Sequence, residues 1–125
     1  MLEGLHLGDT CITGAGGACM CLVVSVHEAG HAVVCAELGV RVRRIDVRQR
    51  RRARQRRLGA LGEVEHDIPR SRESDCLIAL GGPAAERIAL GALYDPDGCV
   101  DELDARRLAG DETTLVRMRA RALDV

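Results

Sequence analysis

The segment VVSVHEAGHAVVCAELG, residues 23–39, carries His27 and His31 four positions apart, with Glu28 directly after the first. On a helix, positions four apart lie on one face about one turn from each other, so both imidazoles point the same way and Glu28 stands beside them. Two neutral nitrogen ligands on one face suit a zinc ion, provided a third ligand and an open position for water complete the site. A carboxylate next to that water, and off the metal, is placed to act as general base. Zinc lowers the water pKa toward about 7 and polarises a carbonyl, which is the chemistry of amide hydrolysis. The competing reading is a core helix with two hydrogen-bonded histidines, because the bare five-residue pattern also arises by chance.

The elements that must position these residues are legible around them. Residues 19–39 are mostly small or apolar, and Gly39 is placed to end a helix as its C′ residue. That run approaches the length of a membrane span. However, His27, Glu28, His31 and Glu37 make it costly in hydrocarbon, so a soluble core helix is expected and no membrane segment. Residues 41–49 alternate closely enough for a strand, and residues 58–69 offer a second one ended by Pro69. Together they predict a β-hairpin over 41–68 with an Arg-rich tip at 50–57. Ser71, Glu73 and Ser74 offer N-caps for a helix over 73–90, in which Pro83 implies a kink or a break. After a loop at 91–100, a last helix is expected over 100–123, weakened in its middle by Gly110. Residues 1–18 read as a flexible, Gly-rich leader before a single domain, 19–125. The expected fold class is mainly α with a small β-hairpin.

Composition sets limits on this domain. Apolar residues make up 46% of the 125, yet Phe and Trp are absent and Tyr94 is the single aromatic. A core of Leu, Val, Ile and Ala buries less area per residue than one with aromatics, so modest stability and reliance on a metal or partner are expected. The net charge of −1 creates no global field for nucleic acid or membrane. Every basic residue is Arg, as a GC-rich coding bias produces, and ten of them crowd into 41–57 against Asp46 alone. That cluster raises a nucleic-acid reading, which the lack of any aromatic there to stack on bases makes the weaker one. The six cysteines follow no basic, signal-like N-terminus and form no C-x-x-C pair, so reduced thiols and a cytoplasmic location are expected.

The residues leave the third ligand open among His66, Glu86, Asp95, Asp97, Cys99, Asp101 and Asp104. The order HEAGHAVV (27–34), LGALGEVEHDIP (58–69), ALGGPAAERIALG (79–91) and CVDELDARRLA (99–109) resembles the peptidase domain of FtsH-type ATP-dependent zinc metallopeptidases. The resemblance covers about Val23 to Ala109 and includes an Asp that opens a helix, followed by Ala four residues later, fitted here by Asp101 and Ala105. It implies an FtsH-peptidase-like helical domain with His27, His31 and Asp101 as zinc ligands and Glu28 as general base. It also implies close packing at Gly81 and Gly82 against the metal helix, where Gly30 leaves room. For Glu86 the expectation is a hydrogen bond to a ligating histidine, or a buried glutamate that caps or pairs with an Arg.

The departures shape the rest of the reading. No G-x-x-x-x-G-K-[ST] occurs, so the family's ATPase motor and membrane anchor are not expected in this chain, and the peptidase portion is expected to be truncated at the C-terminus. The Arg-rich insertion in the hairpin is also outside the family pattern. The function this predicts is zinc-dependent endoproteolysis of unfolded or flexible polypeptide, with a separate ATPase or a homo-oligomer as the expected partner. The alternatives are an inactive zinc-stabilised interaction domain and an Arg-rich nucleic-acid-binding module.

Overall fold

The structure is a computed structural model that describes residues 20–49, 60–94 and 96–124. The expected leader at 1–18 and the Arg-rich tip at 50–57 lie outside the described residues. Four helices and two strands follow in the order α1 (Met20–Glu37), β1 (Val42–Gln49), β2 (Ala60–His66), α2 (Arg72–Leu90), α3 (Pro96–Ala109) and α4 (Glu112–Asp124). The strands pair antiparallel from Val42 opposite His66 to Gln49 opposite Ala60, with an irregularity between Val42 and Arg44. The chain is therefore mainly helical with a small two-stranded sheet, as expected. No described helix is long and apolar enough to cross a membrane.

Gly39 ends α1 as its sequence position implies. Its φ of 72° is left-handed, Gly39 N–H donates to Ala36 O at 3.2 Å, and Val40 N–H donates to Cys35 O at 2.8 Å. This Schellman arrangement satisfies the last carbonyls and turns the chain toward β1. Ser71 caps α2, accepting from Ser74 N–H at 3.1 Å, and Glu73 and Asp75 stand in the first turn, where the helix dipole favours carboxylates.

Three expectations need correcting. First, α2 runs through Pro83 without a break. Proline inside a helix costs about 3 kcal/mol or more. Here it lies buried in the helix that packs against α1, α3 and α4, with Leu77, Ile78 and Leu80 buried before it and Ala84 and Glu86 after it. Packing on both sides holds the helical path. Second, the single helix expected over 100–123 is two. Gly110 has φ 85° and closes α3, and Asp111 then accepts from Thr114 N–H at 2.7 Å to open α4. Third, α3 begins at Pro96, a residue pre-set for the first helical position, so Asp101 lies in the second turn and does not open the helix.

The main core joins α1, α2, α3 and α4 through residues such as Val34, Leu77, Leu80, Ala105, Leu115 and Met118. Cys35 and Cys76 are buried free thiols within it, and Cys99 is a free, exposed one. A smaller cluster of Val23 and Val24, with Val47, Leu90 and Tyr94, ties the N-terminal half of α1 to the sheet. Helices α1 and α2 cross at Gly30 and Gly81. A Cβ on Gly30 would lie 2.6 Å from the Ala85 Cβ, and one on Gly81 would lie 2.7 Å from the Gly30 carbonyl oxygen. No side chain fits between the two backbones.

Gly30→Ala is expected to destabilise the fold at or above the upper end of the ~1–3 kcal/mol typical of overpacking, because backbone rather than a flexible side chain must yield. A urea titration against the unsubstituted chain measures it, and a midpoint unchanged by the substitution would show that the helices do not cross this closely.

Candidate metal centre

The α1–α2 crossing sets the depth at which His27 and His31 sit. Both project from one face of α1 and are buried, and α3 brings Asp101 against them. His27 Nε2 lies 2.6 Å from Asp101 Oδ2 and 3.0 Å from His31 Nε2, and His31 Nε2 lies 3.1 Å from the same oxygen. Three ligand-type atoms thus converge on one point. A tetrahedral zinc with bonds of about 2.0–2.2 Å spaces its ligand atoms about 3.3–3.5 Å apart, so only a small expansion of this triangle would be needed.

The far sides of the two rings explain why Nε2 faces inward. His27 Nδ1 is 2.5 Å from Glu86 Oε2, and His31 Nδ1 is 2.6 Å from the Ile78 carbonyl oxygen. A carbonyl oxygen only accepts, so His31 Nδ1 donates, and a carboxylate accepts from His27 in the same way. Each imidazole then presents its Nε2 lone pair to the common point. With both rings neutral, two lone pairs and a carboxylate oxygen at contact distance repel one another; a metal ion between them relieves this, and in its absence a proton on His27 does. The donor set therefore fits a metal ion of the zinc type, with two nitrogens and one oxygen.

Gly82 leaves the room. A Cβ there would stand 2.6 Å from both His27 Nε2 and His31 Nε2, in the space on which the ligand atoms converge. Glu86, wholly buried, also accepts from Tyr94 N–H at 2.9 Å, so it spans from His27 to the α2–α3 connection. Glu86 thus contacts the histidine and also takes a backbone N–H as a capping carboxylate does, while Arg87, its neighbour in sequence, pairs with Glu102 at 2.6 Å.

Glu28 is buried on the same turn of α1 and lines a cavity of about 450 Å³ with His27, His31 and Asp101. Gly62 of β2 faces it closely, since a Cβ at that position would lie 2.5 Å from Glu28 Oε2. Gly62, Glu63 and Val64 all line the same cavity, and consecutive strand residues point to opposite faces. The strand therefore offers its edge to the cavity, and among the described residues β2 pairs with β1 alone.

Other third-ligand candidates fall elsewhere. His66 and Asp104 line the cavity but stand outside the triad, with His66 Nδ1 bonded to the Asp67 carbonyl at 2.8 Å and Asp104 paired with Arg107. Cys99 is exposed, and Asp95 and the Asp97 side chain lie outside the described residues. Sequence reasoning missed Gly62, Tyr94 and the Ile78 carbonyl. A glycine inside a strand hints at close approach, which is a usable signal for Gly62. The backbone groups carry none, because any residue supplies them.

Burial lowers the His27 pKa, but hydrogen bonds to Asp101 and Glu86 outweigh it and push the value up to about 10. Burial raises that of Asp101, and hydrogen bonds to His27 and His31 outweigh it and hold the carboxyl below its ordinary range. The cluster is built to hold positive charge. Compared with protein-family models, with curated proteins and with solved structures, the chain matches none.

Asp101→Asn is expected to weaken zinc binding markedly, since it removes the only anionic oxygen of the triad, whereas Asp104→Asn leaves zinc content unchanged. Metal analysis of the two purified variants decides it, and zinc retained by Asp101→Asn but lost from Asp104→Asn would reassign the ligand.

The raised His27 value predicts a second result. Metal-depleted protein at pH 7 carries a proton on His27, and a zinc ligand must give it up, so binding releases a proton and tightens as pH rises from about 6 to 8. In that depleted form the shift stabilises the fold fully below 6.5, and the contribution is lost as pH rises through about 10. Zinc calorimetry in two buffers of different ionisation enthalpy reads the proton, and identical heats would contradict it.

Proposed function

We propose that this chain is a zinc-dependent endopeptidase of the FtsH type, acting on unfolded or flexible polypeptide. One observation carries the reading: His27 Nε2, His31 Nε2 and Asp101 Oδ2 converge at a cavity that Glu28 also lines, beneath a strand edge. The order of motifs that resembles the FtsH peptidase domain points the same way. Zinc, when bound, would supply a Lewis acid for the scissile carbonyl and a more acidic water.

The chain's own residues have separable tasks. His27, His31 and Asp101 hold the metal, with Glu86 and the Ile78 carbonyl fixing the ring orientations. Glu28 takes the proton of the attacking water and returns it to the leaving amine. The β2 edge can receive an extended chain through backbone hydrogen bonds, which orders the peptide across the site and requires it to be unfolded. A separate ATPase or self-association would supply unfolding where substrates are folded.

A purely structural zinc site is the second reading, favoured by the full burial of Glu86 behind His27. Structural sites are closed by four protein ligands, whereas catalytic ones keep a position open. Among the described residues three gather here beside a cavity, which supports the catalytic reading.

Glu28→Gln is expected to retain zinc and fold while losing proteolysis of casein by about 10²–10⁴-fold, the usual cost of a positioned general base. Turnover near that of the unsubstituted chain would remove Glu28 from the mechanism. Stoichiometric zinc with no cleavage by either protein would leave the structural reading standing.

A further inference from the structure

His66 lines the same cavity as the triad but takes no part in it. Its place follows from the strand. Gly62, Val64 and His66 alternate along one face of β2, and all three line the cavity. Gly62 stands over Glu28, whose Oε2 a Cβ on that glycine would approach to 2.5 Å. His66 lies four residues further along β2, about 13 Å at the rise of an extended strand. From α2 the cavity takes Asp75, Ile78 and Ala79, all on the N-terminal side of the Gly82 turn that underlies the triad. The cavity is therefore a cleft that continues from the triad along β2 toward His66.

The ring of His66 is held in one orientation. Its Nδ1 lies 2.8 Å from the Asp67 carbonyl oxygen, and a carbonyl only accepts, so Nδ1 donates. That carbonyl is itself fixed. Asp67 N–H donates to the Arg41 carbonyl at 2.9 Å, and Arg43 Nε donates to Asp67 Oδ1 at 2.6 Å. With the proton on Nδ1, Nε2 of the neutral ring carries a lone pair, and among the described residues no group bonds it. The bond at Nδ1 reaches only the next residue in the chain, so it joins no two elements of the fold. A fixed acceptor without a structural partner, on the wall of a substrate cleft, is placed to meet a ligand.

Resting on the peptidase reading, we propose that His66 is a substrate-binding residue that accepts a hydrogen bond from a donor side chain about four residues from the scissile bond. A polypeptide added to the β2 edge advances one residue for each residue of the strand. With the scissile carbonyl beside Glu28 and Gly62, the residue opposite His66 is the fourth along. Its side chain stands on the same side of the sheet as the His66 ring. Ser, Thr, Asn and Gln carry neutral donors for Nε2, whereas Leu or Val in that place would cover the lone pair and leave it unpaired. The cleft thus takes extended polypeptide on that side of the cut and reads donor chemistry at its far end.

Two readouts test this. In the first, the zinc-loaded full chain digests a mixture of peptides of randomised sequence, and mass spectrometry reads the residues flanking each cut. Ser, Thr, Asn and Gln are expected to be enriched about fivefold over Leu and Val at a single position, about three to five residues from the cut on one side only. His66→Phe should flatten the profile at that position alone. In the second, the zinc-loaded chain carrying Glu28→Gln, isotope-labelled in its histidine nitrogens, is titrated in mildly alkaline buffer with one of the peptides cut in the first. The His66 Nε2 resonance is expected to move with a peptide that has Gln at the enriched position and to stay in place when Leu replaces it. A profile flat across those positions overturns the proposal and leaves the peptidase reading standing. A preference that survives in folded His66→Phe, or an Nε2 resonance indifferent to the donor, does the same. Should His66→Phe not fold, the resonance decides alone. A mixture left uncut defeats the peptidase reading and this proposal with it.

Discussion

The close crossing of α1 and α2 at Gly30 and Gly81 is the constraint from which the rest of the site follows. With the backbones in contact, His31 reaches the carbonyl of Ile78 on the neighbouring helix, and His27 reaches Glu86 two turns further along it. The imidazoles then meet over Gly82, where a side chain would fill the space between them. A wider crossing would break both outer hydrogen bonds and free each ring to turn. Three glycines on two helices thus replace what a larger side chain elsewhere might do by filling space.

This design suits a core without large aromatics. Leu, Val, Met and Ala fill the main cluster, and the wholly buried polar residue Glu86 stands between it and the ligands. A buried carboxylate is costly unless its oxygens are satisfied. Both are: Oε2 contacts His27 and Oε1 accepts from Tyr94 N–H. The polar network and the apolar core are consequently interdependent, since α2 contributes to both along a single helix.

Local chemistry made much of this readable in advance. The i, i+4 histidines, the Gly39 cap, the alternation in β1 and Ser71 before α2 each depend on near neighbours in sequence, and each element appears where those signals put it. Three features depart from the sequence reading, one through distant packing and two through local signals that admit another reading. Pro83 stays in a continuous helix because partners on several sides hold it, and no local rule contains those partners. Gly110 reads in isolation as a weak helical residue, whereas its left-handed φ ends one helix and Asp111 starts the next. Asp101 was expected to open a helix, but Pro96 starts α3 a turn earlier. The site showed the same division. His27, Glu28 and His31 announced themselves by spacing, and Asp101 was singled out only by resemblance. The Ile78 carbonyl and the Tyr94 amide had no side-chain signature to read.

The bridge that Glu86 makes between His27 and the backbone of Tyr94 has a further consequence. Tyr94 belongs to the connection that leads into α3, and α3 delivers Asp101. One carboxylate therefore holds the orientation of one candidate ligand and the entry point of the helix carrying another. The two become a single mechanical unit: tension on the connection is felt at the imidazole, and a change at the imidazole is felt by the connection. Thermodynamic reciprocity makes that coupling symmetric in free energy. Whatever shifts the backbone at Tyr94 would then bear on the orientation of His27, and whatever turns His27 would bear on that backbone.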